Sequence, residues 1–261
     1  MKVLLVYPPT PTSIRETELT RKTELAPPLG VLYLASVAER AGHDVKVIDM
    51  RLKDEKPDEI RGYMASFQPD VVGISGMTTE YPFGFEIAKI SKEVQPNVIT
   101  VMGGPHVTFT ATETLDENQD VDIVVRGEGE STFIELLEAL DKASSLMEVK
   151  GVTFRRNGRT ISTEPRQLIE NLDHLPYPAR HLVPLKDYTY ISMITSRGCP
   201  YHCTFCTTTL MWGSRYRTRR PNSVVDEMQY IAENLGFRRI TISDDNFALT
   251  RFEQRRYAMR S

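Results

Sequence analysis

Short, nearly continuous apolar runs alternate with segments of helical spacing along the first 143 residues. The runs are rich in β-branched residues, as expected of buried strands, and they cover residues 2–7, 44–49, 70–75, 97–102 and 121–126. The segments between them, in which apolar residues recur at helical spacing, cover residues 29–41, 57–67, 83–94, 107–117 and 131–143. Five strand–helix units of this size predict an α/β fold with a doubly wound, flavodoxin-like parallel sheet in the strand order 2-1-3-4-5.

The pattern changes after residue 143. Residues 149–154 and 160–163 predict the two strands of a hairpin, because Asn157-Gly158 between them favours a tight turn. Prolines between residues 172 and 185 then predict a stiff linker. A second strand–helix pattern follows, with strands expected at 190–195 and 238–243 and a helix at 221–235. We therefore expect a sheet domain over 1–143, a hairpin and linker over 144–188, and the start of a second α/β domain over 189–261.

The composition narrows the class of protein. Of the 261 residues, 40% are hydrophobic and 26% are charged, which is typical of a globular protein with a buried core. The formal net charge of -3 gives no general attraction to nucleic acid or to an anionic membrane, and no apolar run approaches the roughly 20 residues that cross a bilayer. We expect a cytoplasmic protein without a nucleic-acid partner. Four arginines are expected to form a solvated face, with the binding of an anionic substrate or partner as the alternative: Arg215, Arg217, Arg219 and Arg220.

The cysteines are the most informative residues of the sequence. The chain has three, Cys199, Cys203 and Cys206, and all of them fall in one loop that follows a predicted strand. An odd, clustered set does not form a disulfide framework, so we expect the thiolates to bind metal. Three cysteines saturate three irons of a four-iron cluster and leave the fourth iron open. Two alternatives are a zinc site completed by His202, which would lack a second, distant ligand pair, and unreactive thiols.

The cysteine loop resembles the 4Fe-4S cluster motif of the radical S-adenosylmethionine superfamily, with the sequence Gly-Cys-Pro-Tyr-His-Cys-Thr-Phe-Cys over residues 198–206. The resemblance implies that the open iron chelates S-adenosylmethionine and that the reduced cluster cleaves it to a 5′-deoxyadenosyl radical. It also places Phe205 against the adenine. Asp244 and Asp245 match in position the motif that binds the amino group of the cofactor, where the superfamily more commonly has Gly-Gly-Glu. The alternative for this pair is a helix N-cap.

The first domain resembles the cobalamin-binding domain that one class of these radical enzymes carries. The strings that support the resemblance follow predicted strands at the carboxyl edge of the sheet, where α/β folds bind ligands. They contain the residues that the resemblance assigns to cobalamin: Pro8, Ser75, Met77, Thr78, Gly103, Gly104, Gly127 and Glu128. Ser75 can hydrogen-bond a nucleotide tail, and the paired glycines allow a bulky ligand to approach. Glu128 also falls near a helix start, where a carboxylate is favoured in any case.

One departure from the cobalamin family concerns the cobalt ligand. Better-known cobalamin domains carry Asp-x-His-x-x-Gly after the first strand, with the histidine on cobalt, whereas this loop has no histidine. His106 follows a different strand at the same edge. His43 falls in a helix-to-strand turn at the opposite end of the sheet, where we expect a structural role. Because radical cobalamin enzymes commonly lack the motif, we expect cobalamin to bind without a histidine ligand.

The second domain is shorter than the resemblance requires. The partial barrel of the superfamily has six strand–helix units and would need roughly 190 residues by proportion with a full barrel, whereas residues 190–261 have room for two. We expect a truncated radical domain, inactive on its own. Two functions are compatible with the sequence: a cobalamin-dependent radical enzyme of the methyltransferase class, and a non-catalytic cobalamin- or nucleotide-binding module with a vestigial cluster loop. The enzyme would need an electron donor such as flavodoxin or ferredoxin and a small-molecule or peptide substrate that the sequence does not name.

Overall fold

A computed structural model of the protein describes residues 1–11, 25–247 and 249. By their contacts these residues divide into two units. The first contains residues 1–11, 30–167 and 178–183, and the second contains residues 25–29, 168–177, 184–247 and 249. The stretch predicted as a linker therefore contributes residues to both units, and the domain boundaries expected from the sequence stay a prediction.

A seven-stranded sheet lies at the centre of the first unit. Its strands are β1 (Lys2–Tyr7), β2 (Asp44–Asp49), β3 (Val71–Ser75), β4 (Ile99–Gly103), β5 (Ile123–Val125), β6 (Val152–Arg156) and β7 (Arg159–Ser162). They are ordered β2-β1-β3-β4-β5-β6-β7, with parallel pairing as far as β5 and antiparallel pairing beyond it. The predicted order 2-1-3-4-5 is confirmed. The order reverses between β1 and β3, and doubly wound folds bind their ligands at the carboxyl ends of such a strand pair.

Helices alternate with the parallel strands of this sheet. They are α1 (Leu29–Arg40), α2 (Ile60–Phe67), α3 (Tyr81–Val94), α4 (Pro105–Phe109), α5 (Ala111–Glu117) and α6 (Gly129–Asp141). The prediction of one helix over 107–117 is wrong, because Thr110 leaves the helical region with φ -122° and ψ 32° and divides the segment into α4 and α5. No helix within the described ranges is long and apolar enough to cross a membrane.

Aliphatic side chains from the strands and the helices pack together in the core of the first unit. Leu4, Ile74 and Met102 of the sheet lie with Met64 and Ile87 of the helices in one buried cluster. Burying each such side chain contributes about 1.5–3 kcal/mol of transfer free energy. Helical cover explains why the strands read as nearly continuous apolar runs.

The β6–β7 hairpin extends the parallel sheet at the β5 side. Its turn is formed by Asn157 with φ 52° and Gly158 with φ 73°, so the predicted Asn-Gly hairpin is confirmed. The Arg155 side chain of β6 donates hydrogen bonds to the carbonyl oxygens of Leu115 at 2.6 Å and Gln119 at 2.9 Å, and also to that of Val121. The hairpin is therefore fastened to the chain that leaves α5 and enters β5.

The second unit contains two small sheets and two α-helices among its described residues. Its elements are β8 (Ile191–Met193), β9 (Ser196–Arg197), α7 (Thr208–Trp212), β10 (Arg217–Thr218), α8 (Pro221–Asn234) and β11 (Ile240–Ile242). β8 and β11 pair in parallel, whereas β9 and β10 pair antiparallel. Ile191 and Met193 of β8 pack against Val224 and Ile231 of α8. This packing holds the first strand of the unit against its long helix.

Two of the four arginines before α8 are buried, so the prediction that all four form a solvated face is wrong. Arg219 is paired with Glu227 of α8, and the side chains of the two residues are 4% and 0% exposed. The Arg219 guanidinium also donates to the carbonyl oxygens of Ile194 at 2.9 Å and Ser223 at 3.0 Å. Arg217 is buried as well and donates to the Ile169 carbonyl oxygen at 2.7 Å. These charges are kept in the interior by specific acceptors.

Candidate functional site

The three cysteines lie in the loop between β9 and α7 of the second unit. None is in a disulfide; Cys203 is exposed, and Cys199 and Cys206 are half-buried. The loop begins at Gly198, whose φ of +85° falls in the left-handed region. A side chain there would also collide with the carbonyl oxygen of Arg215. Glycine is therefore required at the entrance of the cysteine loop.

The donor chemistry of this loop fits a metal with soft-ligand preference, because it offers three thiols within one short segment. Within the described residues, however, no three side chains of His, Cys, Asp or Glu converge closely enough to hold a metal ion. This applies equally to the alternative zinc set with His202. A four-iron cluster binds each thiolate at a different iron, so its ligands need not converge on one point, and the assignment of Cys199, Cys203 and Cys206 as cluster ligands stays a prediction.

Thr208, the first residue of α7, contacts the last cysteine of the loop. Hydrogen bonds from the side chain and the backbone amide of Thr208 hold the pKa of the Cys206 thiol below its ordinary value. A lowered pKa favours the thiolate, which is the form that binds metal. The sequence analysis did not single out Thr208, although a hydroxyl residue two positions after the last cysteine is a readable signal.

Asp244 and Asp245 follow β11 and already have hydrogen-bond partners within the second unit. The Asp244 carboxylate accepts hydrogen bonds from the Thr195 amide at 2.7 Å, the Ser196 hydroxyl at 2.8 Å and the Thr195 hydroxyl. The Asp245 carboxylate accepts from the Gly198 amide and from the Thr208 hydroxyl, each at 3.1 Å. The pair therefore contacts both ends of the cysteine loop. Its expected contact with the amino group of S-adenosylmethionine stays a prediction.

Two further residues beside the thiols have side chains of interest. The amide nitrogen of Asn246, which the sequence analysis did not single out, lies 3.8 Å from the sulfur of Cys199. Hydrogen bonds to cluster-ligating sulfurs are one determinant of a cluster's reduction potential. Phe205 is 88% exposed, so its ring is available for stacking on a planar ligand. The expectation that it lies against the adenine of the cofactor is untested.

The residues expected to bind cobalamin lie where the parallel strands of the first unit end. Pro8 follows β1, Ser75 ends β3, and Gly103 ends β4. The remaining members of the set begin the segments after β3, β4 and β5: Met77, Thr78, Gly104, Gly127 and Glu128. Of these, Met77 is 55% exposed, whereas Glu128 is buried at the N-cap position of α6 without making a capping hydrogen bond. The structure thus places all eight residues at one edge of the sheet, and their contact with cobalamin stays a prediction.

Two strand ends of this edge lie close together at Gly104. Its φ is +107°, and a Cβ built there would lie 3.0 Å from the Gly76 carbonyl oxygen and 3.1 Å from the Ser75 hydroxyl. The Tyr81 hydroxyl lies 3.2 Å from the same Cβ position and donates a hydrogen bond to the Gly103 carbonyl oxygen. A larger residue at position 104 would separate the ends of β3 and β4.

A buried carboxylate that the sequence analysis missed connects two loops at the point where the strand order reverses. Glu80 is 5% exposed and accepts hydrogen bonds from the Met77 amide at 2.9 Å and from the Thr10 hydroxyl at 3.2 Å. These partners belong to the segments after β3 and β1. Glu80 therefore fixes the two segments that would flank a bound ligand. Its partner Thr10 is 70 residues away in sequence, so no local pattern indicates it.

The two histidines discussed from the sequence lie at opposite ends of the sheet. His106 stacks on the Tyr81 ring, with the ring centroids 4.7 Å apart, at the carboxyl edge. The Nδ1 atom of His43 lies 3.4 Å from the amino-terminal nitrogen of Met1, and burial lowers the pKa of its imidazole. The structural role expected for His43 stays a prediction.

Comparison with known proteins places this geometry in a family. Residues 21–137 match the family described as B12 binding domain. A curated relative from Pyrococcus horikoshii, an uncharacterized methyltransferase, is 40% identical over 256 residues, which cover 96% of this chain and 55% of the relative. The cobalamin-dependent radical SAM methyltransferase TokK of Streptomyces tokunonensis is 30% identical over 198 residues, which cover 70% of this chain and 28% of TokK. The chain belongs to the cobalamin-binding class of the radical S-adenosylmethionine family.

A solved structure of this class has the same fold as the chain. The radical S-adenosylmethionine methyltransferase TsrM from Kitasatospora setae, with tryptophan and a cofactor analogue bound, superposes with a TM-score of 0.76 at 22% identity. The superposition covers 98% of this chain and 52% of TsrM. The chain likewise spans about half the length of the first curated relatives it matches, 55% and 50%. The fold of this radical S-adenosylmethionine family member is thereby established, and the activity of the whole protein is a separate matter.

Proposed function

We propose that this protein acts as a cobalamin-dependent radical S-adenosylmethionine methyltransferase. The observation that carries the proposal is the position of three free cysteines in the loop between β9 and α7, in the same chain as a parallel sheet ordered 2-1-3-4-5. Relatives described as methyltransferases support the choice of reaction class. The activity is proposed for the whole protein, since the chain matches about half of these relatives.

In the second unit, Cys199, Cys203 and Cys206 would hold a 4Fe-4S cluster, with the fourth iron left for S-adenosylmethionine. When bound and reduced, such a cluster supplies the electron that cleaves the sulfonium cofactor, and cobalamin supplies the methyl carrier. Phe205, with its exposed ring, would stack on the adenine. The carboxylates at the end of β11 would lie beside the cluster loop, because Asp245 already bonds Gly198 next to the first cysteine.

In the first unit, cobalamin would lie against the carboxyl ends of β1, β3 and β4. Gly104 would let the ends of β3 and β4 lie close together beneath the ligand, Ser75 would hydrogen-bond its nucleotide tail, and Glu80 would hold the segments on either side. No histidine is proposed on cobalt, because the segment after β1 contains none. His106 stays stacked on Tyr81 in this proposal.

The partners proposed are an electron donor such as flavodoxin or ferredoxin and a small-molecule or peptide substrate. The relatives act on different molecules by name, for example a magnesium-protoporphyrin ester in a cyclase of Synechocystis and a hopanoid in a methylase of Methylococcus capsulatus. The residues described in this chain do not choose among such substrates. A cytoplasmic location is proposed with the function, because the cluster and its donor require a reducing compartment.

The test is anaerobic reconstitution of the chain with iron and sulfide. We expect about four irons per chain and the absorbance of a 4Fe-4S cluster, since three-cysteine ligation implies that cluster. Cys203→Ala should abolish the absorbance, whereas the neighbouring Thr204→Ala should leave it unchanged. Stoichiometric zinc without cluster absorbance would overturn the proposal.

Cobalamin binding is measured separately by equilibrium dialysis and by the absorbance of the bound corrinoid. We expect binding that survives His106→Ala, with no nitrogen superhyperfine splitting from a histidine in the paramagnetic resonance spectrum of the Co(II) form. Cobalamin binding without any iron uptake would instead indicate a non-catalytic cobalamin-binding module. Failure to bind cobalamin would remove the methyl-transfer part of the proposal.

A further inference from the structure

The residues that follow β11 contact the cysteine loop at several points. Asp244 accepts hydrogen bonds from Thr195 and Ser196 at the end of β8 and the start of β9. Asp245 accepts from Gly198 and Thr208, which lie just before and just after the cysteine-containing stretch. Asn246 directs its amide nitrogen at the sulfur of Cys199. Asp245 alone among these three residues joins the two ends of the loop.

We propose that Asp245 is a positioning residue that closes the cysteine loop by holding Gly198 and Thr208 on a single carboxylate. The consequence for metal binding rests on the proposed 4Fe-4S cluster. The hydrogen bonds themselves are present in the protein without any ligand, so loop closure can be tested independently of the cluster.

The two hydrogen bonds of Asp245 restrict the conformations of the cysteine loop strongly. Both donors lie 3.1 Å from oxygens of one carboxylate, so the Gly198 nitrogen and the Thr208 hydroxyl are within roughly 9 Å of each other. A fully extended chain over the ten residue steps from Gly198 to Thr208 would span about 33–36 Å. Holding the ends together removes much of the conformational freedom that metal binding would otherwise have to remove from the cysteines.

Few of the hydrogen bonds described within the loop would hold its two ends together. The backbone amide of Cys206 donates to the carbonyl oxygen of Cys203 at 3.0 Å, which shapes the second half of the loop. Thr208 contacts Cys206 next to Asp245, so the carboxylate, the hydroxyl and the last thiol form a continuous chain of contacts. Asp245 thereby connects the strand end to a cluster ligand at the far end of the loop.

A role in closing the loop differs in its chemical requirements from a role in binding the cofactor's ammonium group. Loop closure needs one hydrogen bond to Gly198 and one to Thr208, and asparagine can supply both, because its Oδ1 accepts from the Gly198 amide while its Nδ2 donates to the oxygen of the Thr208 hydroxyl. Binding an ammonium group needs the negative charge, which asparagine lacks. Asp245→Asn and Asp245→Ala therefore separate the two roles.

The experiment compares these two variants with the wild-type chain and with Asp226→Ala, which removes an exposed carboxylate from α8 of the same unit. The first measurement is amide hydrogen exchange of the chain without metal. In Asp245→Ala we expect exchange over residues 198–208 to be faster by roughly ten- to a hundredfold, because two hydrogen bonds to a charged acceptor are lost. Asp245→Asn keeps both contacts without the charge, so it should exchange more slowly than Asp245→Ala and closer to the wild type. Asp226→Ala should exchange like the wild type, and unchanged exchange in β8 would show that the unit remains folded.

The second measurement is iron and sulfide content after anaerobic reconstitution, together with the paramagnetic resonance spectrum of the reduced cluster. We expect Asp245→Ala to take up less iron or to give a heterogeneous spectrum, and Asp245→Asn to restore both. Wild-type exchange in Asp245→Ala would overturn loop closure. S-adenosylmethionine is also titrated into each reconstituted protein and followed by the same resonance signal. Unchanged exchange together with weaker binding of the cofactor in both variants would assign the carboxylate to the ammonium group instead. If the wild type itself takes up no iron while the exchange pattern is as expected, the cluster proposal fails and loop closure stands.

Discussion

Removing the charge of Glu227 should destabilise the second unit strongly. Glu227 of α8 is paired with Arg219, and neither side chain has appreciable exposure. Replacing Glu227 with leucine keeps the approximate volume of the side chain and leaves the guanidinium of Arg219 in the interior. That cation would still have the carbonyl oxygens of Ile194 and Ser223 as neutral acceptors. It would have lost the carboxylate that balances its charge.

The size of the effect follows from burial and from the acceptors that remain. Breaking a buried ion pair by removing one partner costs about 3–5 kcal/mol. Because Arg219 keeps neutral acceptors, we expect Glu227→Leu to lie near the lower end, at about 3 kcal/mol. Glu227→Gln, which retains an acceptor oxygen, should cost about 1.5–3 kcal/mol. The matched control is Glu233→Leu, an exposed position of the same helix, which should change the free energy of unfolding by less than about 0.5 kcal/mol.

The assay is urea unfolding followed by the fluorescence of Trp212, the single tryptophan of the chain, which lies in α7 of the second unit. With a slope of about 1–3 kcal/mol per molar urea, a loss of 3 kcal/mol lowers the midpoint by about 1–3 M. A midpoint for Glu227→Leu equal to that of Glu233→Leu would refute the reasoning, since it would mean that the pair contributes no more than a surface carboxylate.

Two further predictions concern pH. Burial raises the pKa of the Asp173 carboxyl, but hydrogen bonds from Ser223 and Arg220 outweigh the effect of burial and leave this pKa below its usual range. The ionised carboxylate therefore stabilises the folded protein above about pH 4, and this stabilisation is lost as the pH falls further. Asp173→Asn should therefore reduce the acid dependence of the tryptophan-detected midpoint between pH 7 and 3, and an unchanged slope would contradict the assignment. Burial is the larger cause and the hydrogen bond to Glu55 the second cause that raise the pKa of Tyr63 to about 12. The neutral phenol therefore stabilises the folded protein below about pH 10, and this stabilisation is lost as the pH rises through 12. Ultraviolet titration should lose a component near pH 12 in Tyr63→Phe, and a difference spectrum centred near pH 10 would show that the phenol is unperturbed.

The elements that could be predicted from the sequence are those whose signal is local. The β1 and β3 strands read as buried because helices cover both faces of a parallel sheet, and the strand order follows from the strand–helix alternation. The Asn157-Gly158 turn is likewise specified by two adjacent residues. The cysteine loop is recognisable for the same reason, since its spacing is contained in eight consecutive residues.

The features that could not be predicted depend on partners far away in the chain. The burial of Arg219 requires acceptors from the end of β8 and from α8, and nothing in its neighbourhood distinguishes it from exposed arginines nearby. Glu80 contacts Thr10 across 70 residues, and Asp245 contacts Gly198 across 47. The break between α4 and α5 at Thr110 has neither glycine nor proline to announce it. In each case contacts with residues distant in the sequence determine the burial or local structure, which the periodicity of the sequence does not specify.

The β6–β7 hairpin has a consequence for the behaviour of the protein at high concentration. Without it the parallel sheet would end at β5, an apolar strand whose free backbone groups could pair with a strand of another molecule. The hairpin covers that edge and replaces it with β7, whose ends carry the exposed polar residues Arg159 and Ser162. The Arg155 side chain keeps the hairpin attached to the sheet, because it donates hydrogen bonds to carbonyl oxygens of the chain that leads into β5. An anchored, polar outer strand thus protects the sheet against edge-to-edge aggregation.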